Sequence, residues 1–294
     1  MGTQKIFAGI ELGGTKILCR VVDENGTALE DRRFVTSTPT KAVEDICDCV
    51  ARAALTNTHI AGIGVASFGP IVVDPNASDY GRLLATPKPG WSGFDLRAAL
   101  YGRLHGRITI DTDVNAAALA EQQLGAGRGL ANVAYVTVGT GIGGGLTTDA
   151  GTFKGGLHPE IGHVRLRRRA GDDVRSCCPF HDDCAEGLAA GPAIARRLDA
   201  AITLEDSPQL QSLIGAYLGD LMATLVLAWA PQRIVCGGGV LGSNGLLPKI
   251  GEAMHIALAN YGPSIARSPE YLVPAHFEHA GLEGALIMAR KNTI

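Results

Sequence analysis

A short segment of the chain brings together residue types that bind zinc. Cys178, His181 and Cys184 follow one another with two residues in each gap, and His163 lies upstream. Zn²⁺ takes four sulfur or imidazole ligands tetrahedrally, and such gaps let one tight loop present several of them. The alternative is a chance cluster of polar surface residues, but the even spacing and the added histidine favour zinc. Four protein ligands leave no open position, so the predicted site is structural and not catalytic.

Glycine-rich turns follow three apolar, strand-like runs of the chain. They are Gly13-Gly14, Gly139 to Gly145 and Gly237 to Gly239. Backbone without Cβ atoms can approach a phosphate closely, and successive amides form an anion-binding site. Glycine is also common in plain hairpins, so one such turn is weak support. Three turns at strand ends, with Thr15, Lys16 and Thr140 beside them, favour a nucleotide.

The second glycine turn matches a dinucleotide-binding pattern by its letters alone. Gly139-x-Gly141-x-x-Gly144 has the required spacing, but that motif needs a helix after the turn. Leu146 to Thr148 has the character of another strand. The sequence therefore argues against a Rossmann-type NAD site, and the order of residues at Thr15-Lys16 does not form a Walker A motif.

Two aspartates follow the strand-like run Ile108 to Ile110. They lie in Asp111-Thr112-Asp113, directly before an alanine-rich helical segment. A carboxylate at the end of a strand can take a proton from a hydroxyl group. The alternative is a helix N-cap, and for one of the two aspartates we favour it. Both roles are compatible if Asp113 faces a substrate.

Three further polar side chains could hydrogen-bond the hydroxyl groups of a sugar. Glu160 and His163 lie three residues apart, and Glu186 follows the predicted zinc loop. Composition alone would favour solvated surface charge, but a metal that fixes this loop would also fix these side chains in space. The basic run Arg165 to Arg169 is predicted to be a solvated loop.

Composition excludes several classes of protein. The chain has 294 residues, of which 46% are hydrophobic and 19% charged, which predicts a large core and little disorder. A net charge of −3 argues against nucleic-acid and anionic-membrane partners. The chain has seven cysteines, an odd number, of which three lie within residues 177–184 and the others are scattered. This pattern is not typical of a secreted protein held together by disulfide bonds. No signal peptide is visible, and the apolar run Leu221 to Ala230 is too short to span a bilayer. These features predict a soluble, cytoplasmic protein.

The order of strand-like runs and turns occurs twice along the chain. A strand, a glycine turn, a strand and a hairpin signal start at Ile6 and again at Val133. Such a duplication predicts two α/β domains of related design. We place a small domain at residues 1–115, with the C-terminal helix 281–294 as a candidate to complete it. The larger domain, at residues 116–280, contains the zinc loop.

The motifs together resemble one family of proteins, the ROK family (repressors, open reading frames, kinases), and within it the bacterial fructokinases. The similarity runs over almost the whole chain. Its most specific segments are Gly9 to Lys16, Thr86 to Trp91, Asp111 to Asn115, His158 to His163, Cys178 to Cys184 and Gly281 to Ala285. The Cys-Pro-aromatic-His form of the metal segment, and Glu11 where other members tend to have Asp, are similar to the fructokinase branch.

The resemblance implies a hexokinase-type fold of two actin-like (ribonuclease H-like) α/β domains around a cleft. It also implies ATP and Mg²⁺, a structural Zn²⁺ and a homodimer. Asp113 falls on the position of the catalytic base. Candidate sugar-contacting residues are Glu160, His163, Glu186, Gly69 and Thr112. Candidate nucleotide-contacting residues are Gly13, Gly14, Thr15, Lys16, Gly139, Thr140, Gly141, Gly237 and Gly238. Candidate metal ligands are His163, Cys178, His181 and Cys184. Cys177 adjoins Cys178, but the two-residue gap between Cys178 and His181 favours Cys178 as the ligand.

From these residues we predict ATP-dependent phosphorylation of fructose to fructose 6-phosphate. Alternatives are a kinase for another hexose, such as mannose or glucose, and, ranked below it, a non-catalytic sugar-binding regulator. A transcriptional repressor of the same family would carry a helix-turn-helix before the first glycine turn. That turn starts close to Glu11, which leaves no room for such a domain, and no nucleic-acid partner is expected.

Overall fold

The chain divides into two compact units. The computed structural model describes residues 4–54, 58–199 and 202–291. The first unit comprises Met1–Ala120, Gly151–His158 and His279–Ile294, and the second comprises Glu121–Ala150 and Pro159–Glu278. The predicted C-terminal helix begins at Ala280 and continues to Arg290, and residues 292–294 of that prediction lie outside the described residues.

Strands and helices alternate along the described residues. The strands are β1 (Gln4–Leu12), β2 (Lys16–Asp23), β3 (Ala28–Val35), β4 (Thr58–Ser67), β5 (Arg107–Thr112), β6 (Val133–Val138), β7 (Ile142–Thr148), β8 (Gly151–Thr152), β9 (Arg233–Gly237) and β10 (Leu272–Pro274). The α-helices are α1 (Pro39–Ala53), α2 (Leu96–Tyr101), α3 (Asp113–Leu124), α4 (Ala185–Ala189), α5 (Gly191–Ala195), α6 (Pro208–Trp229), α7 (Leu246–Leu258) and α8 (Ala280–Arg290). Short 3₁₀ turns lie at Ile161–His163 and Ser264–Arg267.

Each unit has a mixed sheet, and the two sheets share one pattern of strand pairing. The first has the order β3-β2-β1-β4-β5, and the second includes the order β10-β9-β6-β7. In the first, β1 is antiparallel to β2 and parallel to β4, which is parallel to β5. In the second, β6 is antiparallel to β7 and parallel to β9, which is parallel to β10. This repetition matches the duplicated strand–turn–strand plan of the sequence.

Glycines on β4 let helix α8 approach the first sheet closely. A Cβ atom built at Gly64 would overlap the Ala285 carbonyl group, and one at Gly62 would overlap that of Ala289. The opposite face of the sheet is covered by α1, whose buried residues Val43, Ile46 and Val50 recur at helical spacing. Because both faces are covered, the central strand β1 is almost continuously apolar from Ile6 onward.

The second unit is built around the long helix α6. This helix has 22 residues and is apolar enough that by length and composition it could cross a membrane. It begins at Pro208, so the apolar run that starts at Leu221 forms only its C-terminal part. Its burial accounts for its apolar character: Ile214, Tyr217 and Leu218 are fully buried in the core of the unit. Helix α7 packs against it.

The close approach of α8 to the sheet predicts a large effect of one methyl group. We expect Gly64→Ala to lower the free energy of unfolding by about 1–3 kcal/mol, because the added carbon must displace the backbone of α8. The matched control is Gly155→Ala, where an added Cβ meets nothing within 4 Å. Denaturant unfolding of the two variants compares them, and equal stability would show that α8 can shift away without cost.

Candidate metal centre and phosphate-transfer site

The four predicted zinc ligands lie together in the second unit. The ligand atoms of His163, Cys178, His181 and Cys184 are all within 4.8 Å of one another. The Cys178 Sγ atom lies 3.7 Å from His163 Nδ1 and 3.6 Å from His181 Nδ1. Zinc bonds of about 2.3 Å to sulfur and about 2.0 Å to nitrogen place tetrahedral ligands about 3.5 Å apart. The donor atoms and their spacing therefore fit a four-coordinate zinc ion, and Cys177 is outside this group.

The metal loop is closed by its own polar groups. The Ser176 hydroxyl donates to the His181 carbonyl oxygen at 2.7 Å and accepts from the Cys178 amide at 3.1 Å. Cys184 begins helix α4, where its Sγ atom accepts from the Gly187 amide at 3.4 Å. Burial raises the pKa of the Cys184 thiol to about 11. Without a metal this sulfur is a neutral thiol, so zinc binding must release its proton.

The basic run before the loop is not the solvated segment that its composition predicts. Arg168 donates hydrogen bonds to the carbonyl oxygens of Asp172, Val174 and Asp182, at 3.2, 2.8 and 2.7 Å. A segment without regular secondary structure leaves its carbonyl groups without ladder partners, and side-chain donors must replace them. Arg168 supplies three such bonds, whereas Arg165 and Arg167 have exposed side chains, as the solvated prediction requires.

A buried ion pair joins the same loop to the core of the unit. Arg197 Nη2 lies 2.7 Å from Asp172 Oδ2, and the Tyr217 hydroxyl donates to that oxygen at 2.6 Å. Burial raises the pKa of Asp172, but the hydrogen bonds from Arg197 and Tyr217 outweigh it, so this pKa lies below its ordinary value. Since Tyr217 belongs to α6, the central helix of the unit fixes the base of the metal loop.

Two of the predicted nucleotide turns meet at the end of β6. The hairpin between β6 and β7 turns at Gly139, Thr140 and Gly141, which is shorter than the predicted turn because β7 already begins at Ile142. The strand that follows agrees with the argument against a dinucleotide-binding helix. Gly237 ends β9, and Gly238 follows with φ +88°; a Cβ there would lie 2.5 Å from the Val138 carbonyl oxygen. Only glycine fits this contact.

The predicted sugar residue Glu186 adjoins the first of these turns. Its Oε2 atom accepts from the Ile142 amide at 3.0 Å, and a Cβ built at Gly141 would lie 2.6 Å from the same oxygen. Glu160 is exposed and precedes the 3₁₀ turn that carries His163, whose amide donates to the Glu160 carbonyl oxygen at 3.0 Å. Glu186 and Glu160 are thus connected through short local structure to the predicted metal ligands.

The first glycine turn lies in the other unit, between β1 and β2. The Gly13 amide donates to the Lys16 carbonyl oxygen at 2.9 Å, which closes a turn containing Gly14 and the exposed Thr15. Lys16 begins β2 and interacts with Glu11 at the end of β1. Burial raises the pKa of Glu11, and the positive charge of Lys16 acts in the opposite direction. The turn is therefore held by backbone, with one lysine at its end.

Asp111 is a buried carboxylate with a full set of hydrogen-bond partners. Its Oδ1 atom accepts from the Thr112 amide and from Asn115 Nδ2, both at 2.8 Å. Its Oδ2 atom accepts from the Thr152 hydroxyl at 2.7 Å and from Lys154 Nζ at 3.1 Å. A buried carboxylate that accepts hydrogen bonds from four donors has a structural role, so Asp111 fixes the junction of β5 and α3.

Thr112 is the N-cap of helix α3, and Asp113 is the first residue of that helix. The Thr112 hydroxyl accepts from the Asn115 amide at 3.1 Å, which is the geometry of a helix N-cap. The prediction that one of the aspartates caps the helix was wrong, because only residue 112 occupies the flanking position. Asp113 is the first residue of α3 and is half-buried, with Oδ1 accepting from the Val114 amide at 2.9 Å.

The predicted residues of the first unit follow three adjacent parallel strands. Gly13 comes after β1, Gly69 after β4 and Asp113 after β5. The Phe68 amide donates to the Leu12 carbonyl oxygen at 2.7 Å, which connects the ends of β4 and β1, and the Gly69–Pro70 peptide bond is cis. Because the carboxyl ends of parallel strands share one edge of a sheet, these residues lie along one edge.

Several residues of these sites were not found from the sequence. Thr152 and Lys154 reach Asp111 from a segment about forty residues away, and Asp172 meets Arg197 across 25 residues. A lysine, a threonine or an isolated aspartate in a loop gives no periodic signal. The pairing depends on which segments the fold brings together.

Comparison with known proteins decides the family. The model of the family described as "ROK family" matches residues 7–292. The chain belongs to the ROK family. A fructokinase of Pediococcus pentosaceus is 36% identical to this ROK protein over 97% of this chain and 98% of its own length. The resemblance stated from the motifs is therefore confirmed.

Solved structures of the family agree with the fold. A ROK hexokinase from Thermus thermophilus has a TM-score of 0.77 at 28% identity and covers 97% of both chains. A ROK family glucokinase from Streptomyces griseus, in complex with glucose and AMPPNP, has a TM-score of 0.75 at 26% identity and covers 98% of this chain and 100% of its own. The predicted fold class, α/β with two actin-like domains, is confirmed.

The metal geometry leads to a paired prediction for the two adjacent cysteines. We expect the purified protein to contain one zinc ion per chain, and Cys178→Ser to lose most of it, because one of four ligands is removed. Cys177→Ser should keep its zinc, since Cys177 is outside the ligand group. Plasma emission spectrometry of the dialysed proteins measures the metal, and loss of zinc from both variants equally would contradict this ligand assignment.

Proposed function

We propose that this ROK protein is a sugar kinase that transfers the γ-phosphoryl group of ATP to the 6-hydroxyl of fructose. The observation that carries the proposal is the 36% identity to a fructokinase over nearly the full length of both chains. The site supports the same chemistry: a half-buried aspartate at a helix N-terminus, glycine turns at strand ends and a compact metal loop.

In the proposed reaction Asp113 accepts the proton of the sugar hydroxyl as that oxygen attacks the γ-phosphorus. The bond between the γ-phosphorus and the β,γ-bridging oxygen breaks, and ADP leaves. Phosphoryl transfer passes through a loose transition state, so positioning and charge neutralisation supply most of the rate. Because Asp111 is saturated by four donors, Asp113 is the aspartate that remains suitable for proton transfer.

The candidate nucleotide contacts are the glycine turns of each unit, and the amides of the first turn would face phosphate oxygens. Mg²⁺ would supply charge neutralisation on the β- and γ-phosphates when it is bound. Gly13, Gly14, Thr15 and Lys16 are the candidate contacts in the first unit. Gly139, Thr140, Gly141, Gly237 and Gly238 are those in the second.

The proposed zinc ion has a structural role in sugar binding. His163, Cys178, His181 and Cys184 would hold it, and their chain neighbours Glu160 and Glu186 are the proposed partners of sugar hydroxyls. A fixed loop loses little conformational entropy when sugar binds, which is what a pre-organised site requires. Gly69 and Thr112 are the candidate sugar contacts of the first unit. A homodimer and a cytoplasmic location are proposed on the family resemblance alone.

Glucose is the second candidate substrate. The similar Streptomyces griseus structure is a glucokinase with glucose bound, and it covers 98% of this chain. Fructose is favoured because the identity to the Pediococcus fructokinase is higher, at 36% against 26%. Glucose and mannose differ at one hydroxyl group and fructose is their ketose isomer, so the choice between them depends on few contacts.

A panel of sugars tests the proposed activity. We expect ADP release, coupled to oxidation of NADH, to be fastest with fructose and to give a higher kcat/KM than with glucose or mannose. Substrate preference of this kind reflects differential binding of the transition state. A protein that releases no ADP with any hexose is not the proposed kinase, and a preference for glucose would replace fructose by the second candidate.

The proposed base gives a sharper test. Asp113→Asn should lower kcat by about 10²–10⁴-fold with little change in the dissociation constant of the sugar, because a general base acts mainly in the transition state. Asp45→Asn is the matched control, since among the residues that the structure describes Asp45 forms an ion pair only with Lys41, one turn away on α1. Steady-state kinetics and sugar titration measure both constants, and an unchanged kcat in Asp113→Asn would remove Asp113 from the mechanism.

A further inference from the structure

Lys88 lies against the first glycine turn, although it is far from it in sequence. Its Nζ atom donates to the Gly14 carbonyl oxygen. A Cβ built at Gly14 would lie 3.4 Å from Lys88 Cε. The same Nζ atom lies 5.1 Å from the centre of the Phe68 ring, within the range of a cation–π contact. The ammonium group is therefore next to a turn that is proposed to bind phosphate.

An aromatic frame holds the loop that carries Lys88. Trp91 is fully buried, and its indole Nε1 donates to the Ser37 carbonyl oxygen at 2.9 Å. Its ring packs edge-on against Phe68 and Phe94, with centroids 5.3 and 5.7 Å apart. The Trp91 amide donates to the Lys88 carbonyl oxygen at 3.2 Å. The lysine thus projects from a fixed loop, and its position is set before any ligand binds.

The charge of Lys88 lacks an acidic partner. Among the ion pairs of the described residues none includes Lys88, and its side chain is half-buried. Burial lowers the pKa of this ammonium group. A partly desolvated cation that has only a carbonyl oxygen and a ring as neighbours is stabilised further by an anion. A simple structural role, as a clasp on the Gly14 carbonyl, is the alternative.

The turn beside Lys88 supplies what a phosphate also needs. The amides of Gly14 and Thr15 donate no hydrogen bond within residues 4–54, 58–199 and 202–291. Two such amides and one ammonium group are a set of donors for phosphate oxygens. Lys16 adds a second positive charge at the end of the turn. The local charge therefore favours a phosphate over an uncharged hydroxyl group.

We infer that Lys88 is a further phosphate-contacting residue of this kinase. Its ammonium group binds a phosphate group that is held at the Gly13–Thr15 turn. The inference rests on the proposed function. The phosphate can belong to the nucleotide or to the sugar phosphate that the reaction produces, and both present the same dianionic oxygens. The position beside a proposed nucleotide turn favours the nucleotide.

Binding measurements on variants of Lys88 test the inference without requiring turnover. Titration calorimetry compares ADP with magnesium, fructose 6-phosphate and fructose on the wild-type protein, Lys88→Met and Lys88→Arg. We expect Lys88→Met to weaken ADP binding about tenfold or more, Lys88→Arg to restore most of it, and fructose binding to stay unchanged. Weakening of fructose 6-phosphate alone would assign the phosphate to the product. Lys41→Met, a change at an exposed lysine of α1, is the control.

Three results would overturn the inference. If both phosphate ligands bind equally to the wild type and to Lys88→Met, Lys88 has only the structural role of a clasp on the Gly14 carbonyl. If fructose binds more weakly to that variant, Lys88 is a sugar ligand. If Lys88→Met melts well below the wild type, Lys88→Gln replaces it, and an unfolded Lys88→Gln also favours the clasp. A wild-type protein that binds neither ADP nor fructose 6-phosphate would instead refute the proposed kinase function. An active kinase with unaffected Lys88 variants refutes the inference alone.

Discussion

The proposed chemistry depends on the hydrogen bonds that the Asp111 carboxylate accepts. This carboxylate is buried, and four donors from two segments of the chain converge on its two oxygens. Losing one donor in such a network costs more than an average hydrogen bond, because the remaining charge stays buried. The network fixes where β5 ends and α3 begins. Asp113, two residues on, therefore starts the helix with its carboxylate placed by backbone geometry.

The metal loop shows a second way of holding a functional segment without regular secondary structure. Arg168 satisfies three of its carbonyl groups, and Asp172, which pairs with Arg197, joins it to α6 by accepting from the Tyr217 hydroxyl. A zinc ion would add a cross-link between residues that already lie within reach. Because Glu186 lies in helix α4, two residues after its N-cap Cys184, the orientation of this carboxylate depends on the same frame. Metal and arginines thus act on one rigid element.

The features that could be predicted from the sequence are those that a single segment of the chain carries. The spacing of Cys178, His181 and Cys184, and the strand–turn–strand plan on each side of Gly13, are local patterns, and the fold class followed from their repetition. What could not be predicted depends on segments meeting across the fold. Lys154 at Asp111 and Arg168 at its three carbonyl groups are of this kind, because a charged residue in a loop has the same local pattern whether it is solvated or paired.

The two sets of glycine turns share a backbone plan but differ in charge. The turn at Gly14 has Lys88 beside it and Lys16 at its end. The turn at Gly141 has the Glu186 carboxylate bonded to the amide that follows it. A carboxylate next to a phosphate would repel it, whereas hydroxyl groups can donate to a carboxylate. We therefore expect the duplicated turns to have diverged, with phosphate charge concentrated at the first and hydroxyl-bearing parts of the ligands at the second.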